Sequence, residues 1–437
     1  MEVEGKLVDF SSCLPDEVLL HLLSYVDFKD LCRLGCVCQH LQSLVHSDKL
    51  WRRLCHTYWL LDTIPETEDD TSASWYTTFK EWYQNLGQFI DCYATIKGYW
   101  NRIEDSLKER GAINIFKSLR GPLEPQNDQL SGKEENIDIP LDLLCSLHVH
   151  NGQTIPTDGD DTVTIGLGGT LSLYDYSSSP SLLSYEEILT LIQDGNEDQE
   201  NNLKTLTVLR CPFNRTTIRM CLDSTGEFLR GFMFYRQHNF LHNFFHGVAH
   251  KGFFLSAESF TDWLSQLADR LSDPGTMVHP TGLFRFYHEP SCLAVTDDVK
   301  VTVATTFVPE LSETLNRPKR MFSYHITMEM DKDVHKKKTC QLLTRHWEVI
   351  DGNGKVETVV GDGVIGAFPI IKPGTKYSWT SCTTFDTVSG SMGGHFSMVN
   401  LQTQEIFEVK CPTFHMTGLP FLRLSESELF DGDNVVV

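Results

Sequence analysis

The 437-residue chain contains 13 cysteines, yet no two stand in C-x-x-C spacing. That absence excludes the usual zinc-ribbon, RING and thioredoxin-type patterns. Positive charge is also scarce: 37 Lys+Arg face 59 Asp+Glu, a formal net charge of −22. This balance excludes a generally basic nucleic-acid binder and a polybasic membrane protein. No apolar run reaches about 18 residues, so no membrane-spanning helix is expected. The opening stretch MEVEGKLVDF has no apolar h-region. A soluble intracellular chain with reduced thiols is therefore expected, in nucleus and cytoplasm alike. What is present is globular composition, 41% hydrophobic and 22% charged. At roughly 150 residues per domain that is material for about three domains.

The excess acid is concentrated in the middle. Segment 61–279 carries 16 Lys+Arg against 32 Asp+Glu, whereas segment 280–420 carries 14 against 15. Asp62–Asp70 and Glu186–Glu200 contain no basic residue and read as solvated loops. Cys32, Cys36 and Cys38 lie in an apolar helical stretch and are expected to be small core residues.

Residues 10–60 have the texture of short amphipathic helices. Pro15 suits a helix start, Asp16 and Glu17 complement the dipole, and Val18, Leu19, Leu22, Leu23 and Val26 form one stripe. Leu31, Leu34, Val37, Leu41 and Leu44 continue the pattern, and Leu50-Trp51 closes it. Such a unit of about 45 residues is near the lower limit for an independent core. Leu14-Pro15, the leucines after it, Asp30-Leu31, Val37-Cys38 and Leu50-Trp51-Arg52 resemble the F-box pattern. The resemblance implies that Leu14, Pro15, Leu19, Leu22, Leu31, Leu34 and Trp51 form the module and its Skp-adaptor-facing surface. The competing reading is a helical subdomain packed only within this chain. Helical texture continues through 71–110, with Trp75, Phe79, Trp82, Phe89 and Ile96 near helical spacing.

In the middle segment, His150-Asn151-Gly152 predicts a tight turn, and Phe260 through Leu271 an amphipathic helix. Residues 137–153 and 260–271 together are similar to the SUKH (Smi/Knr-like) α+β interaction module. His238, His242, His246 and His250 recur every four residues, a spacing that can chelate a transition metal on a helix. Gly247 and Gly252 weaken a helix there, and no carboxylate or cysteine completes a ligand set, so no metal site is assigned.

Residues 281–416 read as strands. Phe322, Tyr324, Ile326, Met328 and Met330 alternate strictly, and Asp351-Gly352-Asn353-Gly354 predicts a hairpin turn. Gly361, Gly363 and Gly366 spell the dinucleotide-binding string GxGxxG. That string works where glycines lead from a strand into a helix. Here Ala367-Phe368-Pro369 follows at once, so the glycines read as turn residues and as a candidate ligand loop only. Trp347, Asp351-x-x-Gly354, Gly363-Val364-Ile365-Gly366, Pro373-Gly374 and Gly390-x-Met392-x-Gly394 look like the ApaG domain. That resemblance implies a fibronectin type III-like sandwich. Lys336–Lys338 is taken as a solvated loop.

The expected architecture is multidomain. A helical F-box spans 10–56, a helical linker 57–104, an α+β SUKH-like domain 105–272, an ApaG β-sandwich 278–420, and an acidic tail 421–437. The resemblances imply a non-catalytic substrate receptor of a Skp–cullin–F-box (SCF) ubiquitin ligase that presents proteins for ubiquitination and degradation. Its partners would be the Skp adaptor, the cullin and RING subunits, and protein substrates, with no nucleic acid, membrane, cofactor or metal. Transthiolation by the chain itself would need an activated cysteine beside a base, and no such motif stands out. The alternatives are an F-box scaffold outside a ligase, or a nucleotide- or anion-binding protein through the ApaG domain.

Overall fold

The computed structural model describes residues 14–65, 74–124, 138–155, 164–193, 203–214, 216–236, 252–313 and 319–423. Four short helices open the chain: α1 (Asp16–Leu23), α2 (Phe28–Leu34), α3 (Gln39–Val45) and α4 (Asp48–Trp59). Local chemistry sets their ends. Asp27 breaks the first run because its side chain caps α2, accepting from the Asp30 amide at 2.8 Å. Helix α5 (Trp75–Leu86) starts at a Ser74–Thr77 capping box.

Helix α6 (Tyr93–Glu109) buries Tyr93, Ile96, Trp100, Ile103 and Leu107, one stripe at alternating three- and four-residue steps. That stripe packs on the Phe260–Ser272 helix and belongs to the same core as Leu31, Trp51 and Phe89. The sequence boundary at 104/105 thus falls inside one helix. Residues 75–104 pack into the core rather than act as a linker, because the F-box-sized unit finds there the apolar surface it lacks.

Helices α7 (Ile113–Ser118) and α8 (Leu141–Leu147) lead to a hairpin, β1 (Leu171–Leu173) and β2 (Tyr176–Ser178), and to β3 (Ser181–Leu182). The Asn-Gly turn forms as expected: Gly152 takes φ +76°, and Asn151 accepts from the Tyr185 amide at 2.8 Å. Helix α9 (Tyr185–Gln193) replaces the first part of the solvated loop expected over Glu186–Glu200, and residues 194–200 lie outside the described residues. Ser184 and Glu187 exchange a capping box, Ser184 N donating to Glu187 at 2.8 Å and Glu187 N to Ser184 at 3.2 Å. The acids are the exposed first turn of a helix that buries Tyr185 and Ile188.

Strands β4 (Thr205–Arg210), β5 (Thr217–Cys221), β6 (Met233–Arg236) and β7 (Gly252–Ala257) complete the central sheet, and α10 (Phe260–Ser272) packs against α6. Then come β8 (Thr276–His279), β9 (Gly282–Tyr287), β10 (Leu293–Thr296), β11 (Val299–Phe307), β12 (Arg320–Met330), β13 (Cys340–Asp351) and β14 (Val356–Asp362). The series ends with β15 (Ile370–Ile371), β16 (Lys376–Phe385), β17 (Ser389–Asn400), β18 (Ile406–Thr417) and β19 (Phe421–Arg423).

One sandwich sheet runs β16-β12-β11-β9-β8, with β10 also on β11; the other runs β14-β13-β17-β18, with β15 on β13. The alternating residues of β12 point into their common core, and Gly354 turns the β13–β14 hairpin at φ +80°. Two domain cuts do not hold cleanly. Strand β9 pairs with β11 at Tyr287–Thr305 while bridging to Thr164 and Thr170 of the central region. Strand β19, inside the segment read as an acidic tail, adds to the central sheet beside β7. In both places backbone pairing crosses the boundary that composition suggested.

Candidate functional site: an exposed helical face and a sandwich cavity

The first four helices each turn one stripe inward. Leu19, Leu31 and Trp51 are buried, and Trp51 Nε1 donates to the Val45 carbonyl at 2.6 Å. Leu14 and Leu34 are half-buried against that core. These residues contribute to the module's own core. Pro15 and Leu22 are exposed. With Leu22 at 47% exposure stand Val18 at 42%, Tyr25 at 76% and Val37 at 68%. Val18, Leu22 and Tyr25 are spaced i, i+4, i+7, so α1 and the turn after it offer a second apolar stripe beside the buried one. Val18 and Val37 stand out in sequence as apolar positions of the helical pattern, whereas Tyr25 does not.

Cys32, Cys36 and Cys38 are exposed, which corrects the expectation of core packing. Helix α2 spans only two turns, and its inward positions are taken by Phe28 and Leu31. Cys36 Sγ reaches the Cys32 carbonyl, and Cys38 Sγ caps α3 by accepting from the Leu41 amide.

In the sandwich, the three candidate glycines do three different things. Gly361 faces Arg345 across the strands, and a Cβ there would meet the guanidinium at 2.7 Å. Gly363 sits at φ +55° against the Ala367 carbonyl, and Gly366 at φ +76° completes a tight turn closed by the Val364–Ala367 backbone pair. No helix follows them, so they do not form a pyrophosphate cradle. Gly366 does line a cavity of about 210 Å³ at the open side of the sandwich. Its other walls include Tyr324, Arg345, Trp347, Trp379 and Ser381. Burial pushes the Tyr324 phenol up to about 12.

Among the described residues, no three His, Cys, Asp or Glu side chains come together to hold a metal ion. His238, His242, His246 and His250 lie outside the described residues. Burial pushes the Cys55 and Cys221 thiols up to about 12 and the Cys340 thiol to about 11, the opposite of activation. Lys336–Lys338 form a short 3₁₀ turn, and Lys338 is paired with Asp297 and Asp298.

Comparison with known proteins agrees with both ends of this layout. The F-box-like family model matches residues 11–57, and the ApaG domain model matches residues 310–400. F-box only protein 3 of Mus musculus is 33% identical over 431 residues, covering 98% of this chain and 85% of that protein. The Homo sapiens protein of the same name is 33% identical and is covered to 87% of its length. Protein ApaG of Methylocella silvestris is 41% identical over 130 residues, 30% of this chain and 95% of that protein.

Proposed function

The chain belongs to the F-box only protein 3 family, and from that premise we propose that it is the substrate-recognition subunit of an SCF ubiquitin ligase. An F-box implies a Skp-type adaptor as partner and a substrate-adaptor role. The cullin and RING subunits would be recruited through that adaptor, and protein clients would be held by the rest of the chain in nucleus and cytoplasm. The observation that carries the reading is the apolar stripe Val18–Leu22–Tyr25, left uncovered beside the α1 positions Leu19 and Leu23 that the core buries. A stripe of this kind fits helix-on-helix docking to an adaptor.

The physical work of such a subunit is positional. Holding a client lysine near a charged thioester raises their effective concentration, and no proton or electron need pass through this chain. Ligase chemistry is therefore assigned to the partners. The likeness of the central region to SUKH modules is kept as part of the proposal, supported by its helices α6, α8 and α10 and its antiparallel sheet.

The test is co-expression with the Skp adaptor and cullin, followed by affinity purification. Leu22→Glu should abolish recovery of both while leaving the melting temperature unchanged, because Leu22 is exposed. Leu14→Ala/Pro15→Ala, checked for folding, is the second variant. Failure of the folded wild-type chain to recover the adaptor would overturn the ligase reading.

A further inference from the structure

The sandwich cavity has a floor of rings and one positive charge. Trp347, Trp379 and Tyr324 are buried, and both tryptophans meet Phe396 edge-on at 5.2 and 5.6 Å, which fixes their planes. Arg345 lies two residues before Trp347 on the same face of β13. Its Nη1 donates to the backbone carbonyls of Asp362 and Gly363, each at 2.8 Å. The guanidinium is thus pinned, and Gly361 leaves room for it. The Nε–Nη2 edge, the side that grips a carboxylate in bidentate fashion, is outside those two bonds. Among the described residues no carboxylate forms a salt bridge with Arg345.

Two side chains at the mouth stand on unusual backbone. Tyr174, from the β1–β2 turn of the central region, has φ +52° and shares a 3.1 Å hydrogen bond with Ser381. Ile365 has φ +43°, an outlier for a β-branched residue, and both line the cavity. Both stand in two-residue turns, closed by the Leu173–Tyr176 and Val364–Ala367 pairs, where positive φ is what the turn requires, and the turns bring both side chains to the cavity.

The lining selects among ligands. A quaternary or lysine-like cation would meet Arg345. A diphosphate would find a single guanidinium, no lysine, and the exposed Asp362 carboxylate at the rim. A monoanionic carboxylate with an apolar stem suits both the guanidinium and the rings. The volume fits one side chain or one chain end. Strand β14 is the end strand of its sheet and runs into the cavity wall at Asp362, with Val356 and Val360 exposed along it. An extended peptide can add to such an edge and deliver one residue into the cavity.

We propose that this cavity is the recognition pocket for client proteins: it takes a peptide carboxylate on Arg345, stacks its stem on Trp347 and Trp379, and is closed by Tyr174. The proposal rests on the substrate-receptor reading and names the chemistry that reading leaves open. An acidic side chain and a free C-terminus supply the same group.

The experiment uses the full chain and two fluorescein-labelled hexapeptide mixtures, randomised over neutral residues. One ends in a free carboxylate; the other is amidated and carries one central glutamate. Amidated all-neutral and central-glutamine mixtures are the controls, and polarisation is the readout. Expected is at least a tenfold preference of the wild type for one carboxylate mixture over its control, which identifies the source. Arg345→Met should erase the preference, and Asp362→Asn, a change at an exposed side chain, should strengthen binding several-fold. Equal binding of carboxylate and control mixtures by the wild type overturns the proposal. So does an unchanged preference in folded Arg345→Met, or displacement of peptide by inorganic pyrophosphate. Adaptor recovery, measured on the same samples, separates this failure from failure of the ligase reading.

Discussion

The central and C-terminal regions share a buried ion pair, and its removal should be costly. Arg285 of β9 donates to Glu310 at 2.6 Å, to Ser178 Oγ at 3.1 Å and to the Gly169 carbonyl at 3.1 Å. Tyr176 donates to the same Glu310 oxygen at 3.1 Å. The two side chains are 5% and 0% exposed. Burial alone would pull the guanidinium down, yet Glu310, Tyr235 and Tyr176 hold it above its ordinary value. Opposite charges about 4 Å apart gain about 4 kcal/mol at an effective dielectric near 20, and desolvation cancels much of it. Removing one partner strands the other: Arg285→Met or Glu310→Leu should each cost about 3–5 kcal/mol. The double variant strands neither charge and should be more stable than either single by about 2 kcal/mol or more. Urea denaturation of all four proteins at neutral pH gives the cycle. Additivity within about 0.5 kcal/mol would refute the reasoning, because contacting charges must couple.

Four further outcomes are expected. Leu31→Ala should destabilise the chain by about 2–5 kcal/mol, since Leu31 is fully buried, and thermal melting separates this loss from the surface effect of Leu22→Glu. Iodoacetamide should modify Cys36 and Cys38 in the free chain and do so more slowly with the Skp adaptor bound, by peptide mass spectrometry; equal rates would place the adaptor elsewhere. Burial lowers the His325 pKa below its ordinary 6.5, so its neutral form stabilises the fold above that pH and this stability is lost as pH falls through the lowered value. His325→Gln should flatten the acid limb of a stability–pH curve. Gly252→Ala would drive a Cβ into the Leu422 backbone, so it should unseat β19 and make the chain end cleavable in limited proteolysis.

Local periodicity carried most of what the sequence made legible. Strand β12 and helix α10 follow their apolar spacing residue by residue, because one buried face imposes one period. The Asn151-Gly152 and Asn353-Gly354 turns were readable because few residue types reach positive φ. What escaped was whatever depends on a distant partner. The Ser184–Glu187 capping box was present in the letters but masked by the acidic run around it. The exposure of Cys32 could not be inferred, since an apolar residue one position off the inward stripe looks the same in sequence as one on it. Of the three candidate loop glycines only Gly366 lines the cavity, and the cavity itself was not legible because Arg345, Trp379 and Tyr174 come from three separate stretches of chain.

The same long-range pairings bear on mechanism. A receptor whose modules hung on flexible linkers would present a client over a wide volume, and effective concentration would fall with that volume. Here the helical module shares one core with α6 and α10, β9 pairs both with β11 and with the central region, and β19 returns to the central sheet. The Arg285–Glu310 pair adds a polar contact across the same junction. In the proposed role, the exposed stripe on α1 and the mouth of the sandwich cavity would then keep a set separation. A client gripped at one end would be offered at a defined place relative to the adaptor. Loosening the junction, as in Gly252→Ala or Arg285→Met, should therefore leave adaptor binding intact while lowering the rate of client ubiquitination. A softened junction that left this rate unchanged would show that linker-like freedom suffices.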